Sequence, residues 1–169
     1  EFELEMADVA TQRFLEAVQA MQTAKDPSLL RKATRFLTDF SYTVESWQVS
    51  DTVLRTAGLS VNAYFQAART LKQKLQDEFS ELPPASHDSL RQSLVEHLLR
   101  FRAGPSNVRT QLCLAIATLA VQMERWSNVV GSLVQCFDAS PESAQSLLVL
   151  LTVLPEEVDS NHIKVSHAR

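Results

Sequence analysis

The sequence has only 3 glycines in 169 residues. β-Sandwiches and barrels turn on glycine, and doubly wound folds need a Gly-rich loop, so both are disfavoured. Basic excess is missing too. Sixteen Lys and Arg stand against 20 Asp and Glu, for a net charge of -4 and a pI near 5.6. A general nucleic-acid binder would carry a basic face, so no direct nucleic-acid partner is expected. A partner with basic patches is allowed. No apolar run approaches the roughly 18 residues of a membrane span, so no membrane partner is expected either. The longest, Leu112 to Ala117 and Leu147 to Leu151, are far shorter.

Cysteine is nearly absent. Cys113 and Cys136 both sit in apolar helical patterns, and both are expected to be small buried hydrophobes in a reducing compartment. The acidic start, Glu1-Phe2-Glu3-Leu4-Glu5, is no signal peptide. Glu-Phe and Glu-Leu are what common restriction sites encode. Residues 1–5 are therefore expected to be a cloning remnant, with Met6 the natural start.

Catalytic patterns are lacking. None of His87, His97, His162 and His167 has ligand-spaced Cys, Asp or Glu companions, and no second His lies four residues from His97. Gly58 and Gly131 stand alone, and Gly104-Pro105 reads as a helix break, so no phosphate-cradling loop is built. No Gly-x-Ser-x-Gly elbow occurs. The expectation is no enzyme, no cofactor and no metal.

What the chain does have is regular punctuation. Asp26-Pro27, Gly58, Pro83-Pro84, Gly104-Pro105, Ser140-Pro141 and Pro155 divide it into segments. Pro27, Pro105 and Pro141 each open a helical pattern, where a missing N–H costs nothing. Ser86 is a candidate cap. Between breaks the apolar period is helical. Leu15, Val18 and Met21 mark the first helix; Leu29, Ala33, Phe36, Leu37 and Phe40 mark the second. Trp47, Val49, Val53 and Leu54 define a short third, and Tyr64, Ala68, Leu71 and Leu75 a clean stripe on the fourth. Leu90, Leu94, Leu98 and Phe101 give the fifth; Val108, Leu112, Ala115, Leu119 and Met123 give the sixth. The seventh is expected over Trp126 to Phe137 and the eighth over Pro141 to Leu154, the latter apolar on most faces. Trp47 and Trp126 are expected to pack in the core.

Eight helices with short connections imply four antiparallel pairs. Ala33-x-x-x-Leu37, Ala67-x-x-x-Leu71 and Ala115-x-x-x-Leu119 recur 34 and 48 residues apart, near the roughly 40-residue period of HEAT and armadillo pairs. The fold class expected is all-α, a right-handed α-solenoid of about four HEAT-like pairs. An irregular helical bundle is the alternative.

Polar clusters then mark where such a stack could bind. Arg69, Lys72 and Lys74 lie on the fourth helix, closed by Asp77, Glu78 and Glu81. Arg31, Lys32 and Arg35 give the second helix a similar edge, and Arg109 and Gln111 open the sixth. Each could be a solvated face with local ion pairs. Aligned on the second helices of successive pairs, they would suit an acidic partner surface.

Several stretches resemble one family. Ala67-Ala68-Arg69-Thr70-Leu71-Lys72 resembles the second-repeat helix of importin-β-type N-terminal domains. Trp47-Gln48-Val49-Ser50-Asp51, Phe79-Ser80-Glu81-Leu82-Pro83 and Ser89-Leu90-Arg91-Gln92-Ser93-Leu94 resemble the transportin-SR group of that family. So do Val108-Arg109-Thr110-Gln111-Leu112, Ala115-Ile116-Ala117 and, above all, Leu151-Thr152-Val153-Leu154-Pro155-Glu156-Glu157. The resemblance runs from Val9 to about Val158. It implies an N-terminal HEAT-repeat domain over 6–158, with 159–169 the start of a next repeat or a frayed tail.

The resemblance further implies a function. Such a receptor imports serine/arginine-rich cargo, shuttles between cytoplasm and nucleus, and meets nucleoporins at the pore. Its N-terminal arch binds the GTPase Ran in its GTP form, which releases cargo held farther along. By helix position the implied Ran contacts are Arg69, Lys72, Gln73, Arg109 and Gln111, with Asp77 and Glu78 facing basic parts of Ran. A helical-repeat scaffold with no nucleotide-dependent partner is the alternative.

Overall fold

The computed structural model describes residues 2–137 and 140–159, with side chains described from Val9 onward. His162, His167 and nearly all of the expected tail 159–169 lie outside the described residues. Eight α-helices and two short 3₁₀ turns, with no strand, make up the described residues. The chain divides into two compact units, Glu1–Leu71 and Lys72–Arg169.

In the first unit, α1 (Phe2–Thr23) packs against α2 (Pro27–Ser41) and α3 (Glu45–Arg55). The Asp26 carboxylate starts α2: one oxygen accepts the Ser28 N–H and the other the Ser28 hydroxyl, each at 2.8 Å. These bonds hold the Asp26 carboxyl below its ordinary range. Pro27 follows at the first helical position. α2 buries Ala33, Leu37 and Phe40, and the Phe40 ring meets Phe14 of α1 at 5.6 Å. Leu29 and Phe36 do not join this core as expected. They flank it and stay partly exposed, Phe36 stacked on Phe40.

α3 buries Ser46, Val49, Ser50, Val53 and Leu54, with Trp47 half-buried. Gly58 takes a positive φ of 78° in the turn that follows, a conformation without steric cost only for glycine. Tyr64 clamps this turn: its hydroxyl accepts the Leu59 N–H at 3.0 Å and donates to the Thr56 carbonyl at 2.9 Å. Tyr64 belongs to α4 (Val61–Glu78), which continues into the second unit.

In the second unit, 3₁₀ turns at Phe79–Glu81 and Pro84–Ser86 lead into α5 (His87–Arg100). Ser86 does not cap α5; its hydroxyl turns back to the Pro83 carbonyl at 2.7 Å. α6 (Ser106–Gln122) packs on α5 and on α8 (Pro141–Asp159). It buries nearly every residue from Leu112 to Leu119. Ala115 and Ala117 let neighbouring helices approach while Leu112, Ile116 and Leu119 fill the layer.

α7 is shorter than expected, Val129–Cys136. The Asn128 side chain caps it by accepting the Gly131 N–H at 3.1 Å, so Trp126 falls in the preceding turn. There Trp126 is buried, donates from Nε1 to the Ser132 hydroxyl at 2.6 Å, and carries the Arg91 guanidinium 5.5 Å over its ring. Cys113 is buried as expected, but Cys136 is exposed because it lies on the outer side of this short helix. α8 also departs from expectation. It runs through Pro155 to Asp159, giving up one backbone hydrogen bond, the N–H that Pro155 lacks. Buried Glu157 anchors the extra turn on α6 through the Thr118 hydroxyl at 3.2 Å.

Candidate partner-binding site

The charged residues picked out by sequence meet different fates. On α4, Leu71 is buried in the first unit and Leu75 in the second, while Arg69 of the first unit and Lys72 and Gln73 of the second are not buried. Arg69 is exposed and Lys72 half-exposed. Neither makes a hydrogen bond or ion pair among the described residues. Gln73 donates to the Asp77 carboxylate at 2.6 Å, fixing both on one ridge. Glu78 turns elsewhere. It pairs at 2.6 Å with Lys74, whose side chain is 0% exposed against 21% for Glu78. Lys74, which by spacing could have been surface charge, is therefore interior.

Arg109 is buried as well. Its guanidinium donates from one terminal nitrogen to the Arg102 carbonyl at 2.9 Å, tying α6 to the turn after α5. Its Nε has no hydrogen-bond partner. Gln111, two residues on, is half-exposed. Arg69 belongs to the first unit and the other six candidates to the second.

α2 offers a surface that sequence reasoning only half captured. Arg31 and Lys32 are exposed, and Arg35 pairs loosely with Asp39 at 3.6 Å, both well solvated. Beside them lie exposed Leu29 and Phe36, which the periodic pattern had assigned to the core. The signal was present: Leu29, Lys32 and Phe36 recur at i, i+3, i+7, so one edge of the helix mixes apolar and basic groups.

The described histidines are held structurally. His87 stacks on Phe79 with ring centroids 4.4 Å apart and lies 3.3 Å from the Leu82 carbonyl. His97 is buried 3.3 Å from the Ser93 hydroxyl. No group of three His, Cys, Asp or Glu side chains among the described residues could hold a metal. No helix among them is long and apolar enough to cross a membrane. A hollow of about 220 Å³ near Pro84, His87 and Asp88 gathers no nucleophile and base. What this surface can do is present cations and apolar groups on helix ridges, the property of a helical-repeat binding protein.

Comparison with known proteins gives that class a family. Residues 33–100 match the importin-beta N-terminal domain, and residues 105–169 match the exportin 1-like protein family. Transportin MOS14 of Arabidopsis thaliana is 37% identical over 146 residues, covering 84% of this chain and 15% of that protein. Importin-13 of Homo sapiens is 32% identical over 148 residues, covering 82% of this chain and 15% of that protein. The chain belongs to the importin-β family of nuclear transport proteins. It spans about 15% of the length of the curated relatives it matches.

Proposed function

We propose that the chain is the Ran-GTP-binding region of a nuclear import receptor that shuttles between cytoplasm and nucleus, and that Ran-GTP binding releases serine/arginine-rich cargo. The observation that carries this reading is the importin-beta N-terminal match over 33–100, which reaches from α2 to the end of α5 and includes Arg69, Lys72 and Gln73.

In this reading Arg69 and Lys72 meet acidic residues of Ran, since both cations are accessible and unpaired among the described residues. Gln73 and Asp77 act as one hydrogen-bonded ridge toward its basic groups, and Gln111 adds a polar contact. Glu78 and Arg109 shape the surface from beneath: Glu78 holds buried Lys74, and Arg109 holds the α5–α6 turn. Cargo is gripped mainly outside this chain, and nucleoporins meet the full-length receptor. Linkage makes the release reciprocal, so cargo weakens Ran binding by the factor with which Ran weakens cargo binding.

Gel filtration of the chain mixed with Ran tests the reading. Ran loaded with a non-hydrolysable GTP analogue should co-elute with it, and Ran-GDP should not. Co-elution with neither form, or with both alike, contradicts it.

A further inference from the structure

The first turn of α6 holds a positive charge that nothing among the described residues balances. Arg109 stands in that turn and is 7% exposed. It donates from one terminal nitrogen to the Arg102 carbonyl, in the turn before the helix, so its side chain runs back along the N-terminal end of α6. Its Nε is buried without a hydrogen-bond partner, and no carboxylate pairs with the guanidinium among the described residues. A buried cation is costly unless paired. The N-terminal end of a helix, already positive, is where a cation is least favoured.

That end also lacks a side-chain cap. Pro105 occupies the cap position, and no Asp or Glu lies in the first turn. Asn107 Oδ1 accepts the Val108 N–H at 2.9 Å, while the N–H groups of Ser106 and Asn107 have no intrahelical acceptor. Ser106, the first residue of α6, is exposed. Its carbonyl accepts the Thr110 hydroxyl at 2.9 Å, but its own hydroxyl has no partner among the described residues. α6 already has its neighbours: it packs on α5 and α8, and Gln122 ties it to the Leu75 carbonyl.

We infer that Ser106 is a phosphorylation site, and that Arg109 and the α6 N-terminus form the socket for its phosphoryl group. Ser106 and Arg109 are three residues apart on one helix, with Cβ atoms about 5–6 Å from each other. A phosphoryl group brings about two negative charges and several acceptor oxygens. It supplies the anion that both the guanidinium and the uncapped helix end lack, and phosphate at a helix N-terminus is favoured by the free N–H groups there. The first turn has no carboxylate of its own, so the Ser106 hydroxyl is its one side chain that phosphorylation can make anionic. The donor is a nucleoside triphosphate held by a protein kinase. The Ser106 Oγ–P bond forms, the bond from the γ-phosphorus to its bridging oxygen breaks, the hydroxyl proton passes to the kinase's base, and nucleoside diphosphate leaves. This goes beyond Ran binding and holds whether or not Ran is the partner.

Phosphoserine incorporated at position 106 of the whole chain tests the socket, with exposed Ser80, flanked in sequence by Glu78 and Glu81, as the control position. In a phosphorus NMR titration, the free phosphoserine midpoint lies near about 6. At position 106 it should fall by at least about half a unit between the urea-unfolded and the folded chain. At position 80 it should not fall. Because the folded value is the lower one, phosphorylation at 106 should raise the melting temperature by roughly 2–4 °C near neutral pH, and the gain should shrink as pH falls below about 6. Arg109→Gln should remove most of the midpoint shift, and Arg109→Lys, which keeps the charge, should restore part of it. An equal midpoint in folded and unfolded chain overturns the socket, as does a full shift in a folded Arg109→Gln variant. Mass spectrometry of the chain expressed in eukaryotic cells with phosphatases inhibited should find phosphate on Ser106. Its absence there overturns the assignment of the site.

Discussion

The Thr118 hydroxyl of α6 donates to the buried Glu157 carboxylate of α8 at 3.2 Å, across the interface where Cys113 also points its thiol at the Ser146 carbonyl, 3.7 Å away. A carboxylate in such a place needs its donors. Thr118→Val keeps the volume and removes one, and should cost about 1–3 kcal/mol in urea unfolding followed by tryptophan fluorescence. In a double-mutant cycle with Glu157→Gln, the two effects should be non-additive. Additive effects would show that the contact carries no energy.

Lys74 and Arg35 separate interior charge from surface charge. Both pair with an acid four residues on, but the Lys74 side chain is 0% exposed and that of Arg35 85%. Lys74→Ala strands Glu78 in a partly buried site and should cost roughly 3–5 kcal/mol. Arg35→Ala should change stability by less than about 1 kcal/mol. Equal costs in parallel denaturation curves would contradict this placement.

Burial pushes the Cys113 thiol from 9.0 up to about 12, with the Arg109 charge acting in the opposite direction. The folded state therefore keeps a proton that the unfolded chain releases above pH 9. This contribution is whole below that pH and is lost as pH rises toward about 12, at up to about 1.4 kcal/mol per unit. Cys113→Ala should flatten the decline relative to the parent. In the native protein Cys136 should react readily with iodoacetamide, and Cys113 only on unfolding.

The helices were legible because their apolar stripes serve one interface at a time. Leu71 and Leu75, or Leu94 and Leu98, could belong to nothing but a core face. Where local rules compete with packing, the sequence was ambiguous. Pro155 looks like a stop, yet the anchorage of Glu157 on Thr118 carries α8 past it. Trp126 looks like a helix start, yet Asn128 makes the better cap. The site was legible as positions on helices and not as exposures. Arg109 and Lys74 resemble Arg69 and Lys72 in sequence, and only the approach of the α5–α6 turn and of neighbouring helices separates them. Gln122 shows that approach by donating to the Leu75 carbonyl at 2.6 Å.

If Arg69 and Lys72 meet acidic groups on Ran, reversing them should weaken binding more than removing them. Arg69→Glu with Lys72→Glu should weaken association at least a hundredfold, roughly 2.7 kcal/mol. The circular dichroism should be unchanged, since neither side chain is buried. The Arg31→Ala and Lys32→Ala pair on α2 tests whether the basic edge extends there, with a smaller, salt-sensitive loss expected.

The central claim is a nucleotide-dependent partner. Isothermal titration of the chain with Ran, in its GTP-analogue and GDP forms at matched ionic strength, measures it directly. The expected result is one-to-one binding to the GTP-analogue form, at least a hundredfold tighter than to Ran-GDP. Equal affinities for the two forms, or no binding to either, would contradict the account and favour a scaffold indifferent to nucleotide.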